Sequence, residues 1–184
     1  SVVAKAIRPN TALICVMHAN NETGAINDIK AIGAVAHKAN IPFHCDVVQS
    51  FGKFPLCPID DNVDSFGISF HKFGGPMFCG MLIIKQAFVV GYNLSPVIFG
   101  NQNGGFRGGS ENLHSIAASF TAARITMENR TAKNNHMLVV KRLIIDEIAK
   151  RIPTRPFSEY IKDTPGRKSE IEIIILSSID KSYL

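Results

Sequence analysis

Three polar clusters follow apolar segments in the first half of the sequence, and their side chains are of types that do chemistry. Asn20–Gly24 follows the first segment, Asp46 and Gln49 follow the second, and Ser69–Lys72 follows the third. Together they offer an amine, a carboxylate, amides, a hydroxyl and an imidazole. In open α/β sheets, ligands bind beyond the carboxyl ends of the strands. We therefore expect the three clusters to converge on one site.

Lys72 and Asp46 form the pair with the most specific chemistry. Lys72 stands between an apolar segment and a turn that contains Gly74-Gly75-Pro76. A lysine amine forms an imine with the aldehyde of pyridoxal 5'-phosphate (PLP), and a carboxylate keeps the pyridine nitrogen protonated so that the ring accepts electrons. The pair matches these requirements. Taken singly, a lysine or an aspartate at a strand end is more often a solvated or capping residue.

Alternating strands and helices would position these clusters. The hydrophobic spacing predicts one helix, Ile29–Ala39, with Asp28 as its N-cap. The predicted strands are Ala12–Met17, Ile41–Cys45, Ser65–Phe70 and Gly80–Ile84. Because these strands are apolar throughout, we expect a sheet that is covered on both faces.

The pattern changes after Asn112. Two long helices are predicted, at about 113–129 and 135–151, followed by a strand at 171–176. We expect residues 1–120 to form the C-terminal part of one domain, and residues 121–184 to form a connecting helix and the start of a second, smaller domain. Since one strand and one helix cannot build an independent core, the chain reads as truncated at both ends.

Composition excludes several classes of protein. The chain has 184 residues, of which 46% are hydrophobic and 19% charged, values typical of a globular domain and not of disordered or fibrous proteins. Charges interrupt every apolar run well short of the roughly 20 residues that a membrane-spanning helix needs.

Half of the 20 lysines and arginines fall between Arg130 and Lys168. This segment predicts a solvated basic face, with nucleic-acid contact as the alternative.

The four cysteines lie far apart in the sequence. They are Cys15, Cys45, Cys57 and Cys79. No CxxC spacing joins them, which argues against a zinc site or a redox dithiol and favours reduced thiols in a cytoplasmic compartment. Cys15 and Cys45 stand inside apolar strands, so we expect both to be inert core thiols.

Four motifs, in this order, resemble those of the cysteine desulfurases, the NifS/IscS-like proteins in class V of the PLP-dependent aminotransferase superfamily. The motifs are Val16–Gly24, His44–Lys53, Ser69–Pro76 and Arg107–Asn112. The similarity extends from about Thr11 to Ala123. The resemblance implies an α/β chain of the PLP-dependent transferase fold type I, with part of the doubly wound sheet of the large domain and the start of the small α+β domain.

The resemblance implies a role for each matching residue around the cofactor ring. Lys72 would hold PLP as a Schiff base and move protons, which makes it the main catalytic residue, with His71 beside it. Asp46 would pair with the pyridinium nitrogen, and Gln49 would donate a hydrogen bond to the phenolic oxygen. Ser69 and His71 would bind the phosphate, since a hydroxyl and an imidazole N–H both donate to a dianion.

Three more residues acquire roles from the same resemblance. Asn21 would touch the cofactor and the substrate carboxylate. Arg107 would bind that carboxylate, a task that suits a planar guanidinium. Ser110 stands where the family usually has a threonine that reaches the phosphate of the dimer partner, so the resemblance implies a homodimer.

Departures from the family pattern leave two functions open. Gly100–Gly105 lacks the usual acidic residue. The family's phosphate cup, its ring-stacking histidine and the cysteine on its mobile loop are not matched in this sequence. The first hypothesis is a PLP-dependent desulfurase that acts on L-cysteine and passes sulfur to an acceptor protein. The alternative is a degenerate NifS-like fold that serves as a binding or structural protein, with or without PLP. In its frequent Asn, Ile and Lys residues, this chain resembles a divergent NifS-like protein of a large DNA virus.

Overall fold

The structure is a computed structural model that describes residues 2–57 and 61–151. The strand predicted at residues 171–176 lies outside these residues.

A four-stranded sheet forms the centre of the described chain. Its strands are β1 (Ile14–Met17), β2 (Phe43–Asp46), β3 (Ser65–Ser69) and β4 (Gly80–Ile84). They lie side by side in sequence order, with β1, β2 and β3 parallel and β4 antiparallel to β3. All four predicted strands are confirmed, although the predicted first and second strands begin two residues early.

The register of the parallel strands aligns their carboxyl ends. Met17 of β1 pairs with Asp46 of β2, which in turn pairs with Gly67 of β3. The loops after β1, β2 and β3 therefore leave the sheet at the same edge, as expected from the sequence.

Helices and short turns connect and flank the strands. The α-helices are α1 (Val2–Ala6), α2 (Ile29–Lys38), α3 (Gln86–Gly91), α4 (Leu113–Glu128) and α5 (Arg130–Arg151). Asp28 caps α2 as predicted, because its Oδ1 accepts a hydrogen bond from Ala31 N–H at 2.9 Å. α5 begins five residues before its predicted start at Asn135. The Asn129 carbonyl accepts a hydrogen bond from Lys133 N–H, so helical bonding runs through the junction between α4 and α5.

One face of the sheet carries the hydrophobic core. Phe43, Cys45, Phe66 and Ile68 are buried there against residues of α2 such as Ile32. Burial alternates along β2, where Phe43 and Cys45 are buried and the residues that follow each of them are only half-buried. Since successive side chains of a strand point to opposite faces, the core lies on one side of β2.

The expectation of a sheet covered on both faces is wrong for the described residues. Four of the five residues of β4 are exposed, among them Leu82 at 58%. Cys15 is exposed as well, so its prediction as a core thiol is wrong, whereas Cys45 is buried as predicted. An apolar strand shows that both of its faces suit an apolar environment, but it does not show which segment provides the covering layer.

No helix among the described residues is long and apolar enough to cross a membrane.

Candidate active site

Lys72 lies in a tight 3-10 turn, Phe70–Phe73, that follows β3 directly. Phe70 and Phe73 are both buried, so the two ends of this Lys72 turn are anchored in the core. Gly74 ends the turn with a left-handed φ of 92°. At Gly75 an added Cβ would lie 2.6 Å from the Phe70 Cβ, so only glycine fits the close approach. The glycine pair thus explains locally how the lysine backbone is fixed.

Ser69 and His71 flank this turn and contact each other. The Ser69 Oγ lies 2.9 Å from the His71 Nδ1. Ser69 is half-buried at the end of β3, and His71 is exposed. The pair presents a hydroxyl and an imidazole side by side, and both groups can donate hydrogen bonds to a phosphate.

Asp46 is held at the end of the neighbouring strand. Its Oδ1 accepts a hydrogen bond from Val48 N–H at 2.8 Å, and its backbone carbonyl accepts one from His18 N–H at 2.8 Å. The Val47 N–H donates to the Gly67 carbonyl of β3 at 3.0 Å. The carboxylate is thereby fixed one strand away from the strand that leads into Lys72.

Gln49 is nearly buried in the turn that follows Asp46. The N–H groups of Ser50 and Phe51 donate to the Val47 carbonyl at 3.1 and 2.8 Å. Lys53 closes the same turn, since its Nζ donates to the Gln49 carbonyl at 2.6 Å. The backbone of Gln49 is therefore as well fixed as that of Asp46.

Asn21 is exposed in the loop after β1, and its neighbour Asn20 shapes that loop. The Asn20 Oδ1 accepts hydrogen bonds from Glu22 N–H at 3.0 Å and from Thr23 N–H at 2.9 Å. The sequence reasoning assigned a role to Asn21 and missed this one. The signal was present, because asparagine before a polar segment that ends in glycine is typical of such side-chain-stabilised turns.

Two histidines lie near the site, and neither is exposed. The His44 Nδ1 lies 2.7 Å from the Ser65 Oγ, which satisfies that ring nitrogen. His18 is buried beside the Phe54 ring, with the ring centroids 5.4 Å apart. Burial lowers the pKa of His18, and the negative charge of Asp61 opposes that shift. His18 is therefore neutral near pH 7, and within the described residues its Nδ1 has no hydrogen-bond partner.

A cavity of about 280 Å³ lies beside His18, the residue that directly follows β1. Phe54 and Asp61 also line it, whereas Lys72 and Asp46 do not. Asp28 and Lys30 line it too, so the charged groups of this cavity are different residues from the Lys72 and Asp46 pair.

Arg107 and Ser110 belong to an exposed loop, residues 92–112. Around Arg107, this arginine loop is held by bonds between its own residues: the Asn103 Nδ2 donates to the Arg107 carbonyl at 3.4 Å, and the Gly108 N–H donates to the Ile98 carbonyl at 2.8 Å. The pairing of β1, β2 and β3 does not position Arg107 and Ser110, because neither residue directly follows a strand.

The strand-end residues fit PLP on chemical grounds. Lys72 supplies an amine, Asp46 a carboxylate on the neighbouring strand, and Ser69 with His71 a contacting pair of donors. These groups match the aldehyde, the pyridine nitrogen and the phosphate of PLP, respectively. The described residues contain no group of three or more His, Cys, Asp or Glu side chains arranged to hold a metal ion.

Comparison with known proteins agrees with this chemistry. The profile of the family described as "Aminotransferase class-V" matches residues 1–171. "Cysteine desulfurase IscS" of Anaeromyxobacter sp. (strain K) is 40% identical over 131 residues, which are 71% of this chain and 32% of that protein. The protein of the same name from Clostridium botulinum (strain Hall) is 37% identical over 152 residues, 82% of this chain and 37% of the relative. The chain thus spans about a third of the length of these relatives.

Solved structures agree as well. A structure titled "NIFS-LIKE PROTEIN" superposes with a TM-score of 0.75 at 29% identity, over 81% of this chain and 40% of that one. "SspA in complex with cysteine" superposes with a TM-score of 0.63 at 40% identity, over 67% and 35% of the two chains.

The fold is that of the PLP-dependent transferases of fold type I. The chain belongs to the class-V aminotransferase family, in its NifS/IscS-like group. PLP is the cofactor of this family.

Proposed function

We propose that this chain is part of a PLP-dependent cysteine desulfurase that removes sulfur from L-cysteine, with Lys72 as the residue that holds the cofactor. The observation that carries the proposal is the Lys72 turn. It sets the lysine directly after the contacting Ser69 and His71 pair and one strand away from Asp46. The names of the relatives and the cysteine complex of SspA support L-cysteine as the substrate.

Each residue of the cluster has a distinct task in this proposal. PLP, when bound, supplies an electron sink for the substrate. Lys72 binds the cofactor aldehyde and then carries a proton to or from the substrate α-carbon. Asp46 holds the proton on the pyridine nitrogen, and Gln49 donates to the phenolic oxygen. Ser69 and His71 hold the phosphate. His71, which directly precedes Lys72 in the sequence, is also proposed as a catalytic residue.

Substrate binding falls to residues outside the sheet edge. Arg107 would pair with the α-carboxylate of cysteine through two parallel hydrogen bonds, and Asn21 would contact the same carboxylate. Ser110 would donate to the phosphate bound by a second copy of the chain. The active unit in this proposal is therefore a homodimer.

Sulfur leaves cysteine by transfer to an acceptor thiol, which the family resemblance places on a mobile loop that none of the four cysteines in this sequence matches. Breaking the C–S bond converts L-cysteine to alanine, and the acceptor thiol becomes a persulfide. Burial, more than any nearby charge, raises the pKa of Cys45 to about 12, so its thiolate is scarcely populated. An acceptor protein then takes the sulfur from the persulfide.

The domain division and the location are proposed on the same basis. Residues 1–120 would form the C-terminal part of the PLP-binding large domain, and residues 121–184 would form the connecting helix and the start of the small domain. The cysteines that the structure describes are free thiols, which supports a reducing compartment such as the cytoplasm.

Cysteine turnover tests the proposal. The full-length protein is loaded with PLP and incubated with L-cysteine and dithiothreitol, and alanine and sulfide are measured, with L-serine as the control substrate. We expect alanine and sulfide in equal amounts from cysteine and neither from serine. Bound PLP without either product would favour the alternative, a NifS-like fold that serves as a binding protein.

A further inference from the structure

Thr126 of α4 is a buried polar residue that reaches the Lys72 turn. It is 4% exposed, and its Oγ1 donates a hydrogen bond to the Phe73 carbonyl at 3.1 Å. The two residues are 53 positions apart in the sequence. The acceptor belongs to the peptide group between Phe73 and Gly74, one residue after Lys72. The bond therefore acts on the backbone of the turn.

The methyl group of the same threonine contacts the turn that carries Gln49. A Cβ added to Gly52 would lie 2.2 Å from the Thr126 Cγ2, so Thr126 packs directly on the Gly52 backbone. The rings of Phe51 and Phe73 meet just beside this point, with centroids 4.8 Å apart. Thr126 therefore touches both turns, one with its hydroxyl and one with its methyl group.

We infer that Thr126 is a positioning residue that sets where Lys72 stands relative to Asp46 and Gln49. The inference rests on the proposed function. A buried carbonyl that keeps its donor holds one orientation, whereas one that loses its donor leaves a buried polar group unsatisfied and the peptide free to reorient. Because Lys72 must reach a cofactor held by Asp46 and Gln49, an error in this separation weakens PLP binding.

Two substitutions separate the hydroxyl from the methyl group. Thr126→Val keeps the shape and removes the donor, while Thr126→Ser keeps the donor and removes the methyl group. Thr121→Val is the matched control on the same helix, since Thr121 is exposed and its Oγ1 bonds within α4 to the Ala117 carbonyl.

Two readouts are taken on the full-length protein. The first is the PLP dissociation constant from an absorbance titration. The second is hydrogen exchange of the Gly75 amide in cofactor-free protein, because that N–H donates to the Phe70 carbonyl inside the Lys72 turn at 2.9 Å. The second readout does not depend on PLP chemistry.

We expect Thr126→Val to weaken PLP binding by about fivefold or more and to speed Gly75 exchange by a similar factor, the size typical of one hydrogen bond. Thr126→Ser should lose clearly less than Thr126→Val in both readouts, because it keeps the bond to the Phe73 carbonyl and gives up only the methyl contact with Gly52. Thr121→Val should match the wild type. If Thr126→Val does not fold, Thr126→Ala takes its place beside Thr126→Ser.

The inference is overturned if Thr126→Val behaves like the wild type, or if Thr126→Ser loses as much as Thr126→Val, which would mean that Thr126 contributes packing alone. A wild-type protein that takes up no PLP would contradict the proposed function instead, and the exchange measurement would still decide the role of Thr126.

Discussion

The strand-end cluster and the arginine loop carry the two halves of the proposed site, and they are built in opposite ways. The strand-end cluster (Asp46, Gln49, Ser69 and Lys72) stands on backbone that is tied to the core. The arginine loop is exposed along most of its length. The cofactor half is thus preorganised by the fold, while the substrate half depends on a loop with little packing of its own.

The arginine loop also differs from the strand-end cluster in its backbone conformation and in the exposure of its apolar side chains. Three consecutive residues, Asn103, Gly104 and Gly105, have left-handed φ values of 48°, 63° and 85°. Val97 and Phe99 are 95% and 81% exposed. Segments with few buried contacts open at low free-energy cost, so we expect this loop to be the less stable half.

Removing the lysine should have the largest effect. Lys72→Ala deletes the amine that holds the cofactor and moves protons, so we expect cysteine turnover to fall by at least about a thousandfold. Lys38→Ala, at the exposed end of α2, is the matched control and should leave turnover unchanged. Turnover that survives Lys72→Ala would show that the reaction does not depend on Lys72.

Neutralising the carboxylate should have the next largest effect. Asp46→Asn keeps an oxygen that can accept from Val48 N–H but loses the charge that holds the pyridine proton, so we expect turnover to fall about 10- to 100-fold. Asp28→Asn makes the same change at a helix N-cap, where asparagine serves as well as aspartate. Equal losses in the two variants would argue against a special role for Asp46.

The arginine loop is tested by its effect on substrate and not on cofactor. Arg107→Lys keeps the charge and loses the two-pronged hydrogen bond, so we expect KM for cysteine to rise about tenfold while PLP occupancy stays constant. Arg124→Lys, on α4 beside Glu128, is the control. A loss of PLP in the Arg107 variant would mean that the two halves are not separable.

The smallest effect concerns pH. Because burial lowers the pKa of His18 below its ordinary 6.5, the unfolded chain binds a proton there at a higher pH than the folded chain does. The free energy of unfolding should therefore fall as pH drops below this value. His18→Gln should lose less stability than the wild type between about pH 7.5 and about pH 5.5 in urea unfolding. The same pH dependence in both proteins would show that His18 is not the group responsible.

The sequence predicts the strand-end cluster better than its surroundings, for a local reason. The glycines after Lys72 and the cap at Asp28 act within a few residues, so their patterns specify their own geometry. The burial of Thr126 and the exposure of Cys15 depend on segments far along the chain, and no local pattern specifies those. Helix continuity through Asn129 was missed because asparagine and arginine there carry no clear hydrophobic period.

The most direct test is to locate the cofactor. The full-length protein is incubated with PLP, reduced with borohydride and digested, and the labelled peptide is identified by mass spectrometry. We expect a PLP label on the peptide that contains Lys72 and none on the peptide that contains Lys38. A label on another lysine, or none after reduction, would contradict Lys72 as the residue that holds PLP.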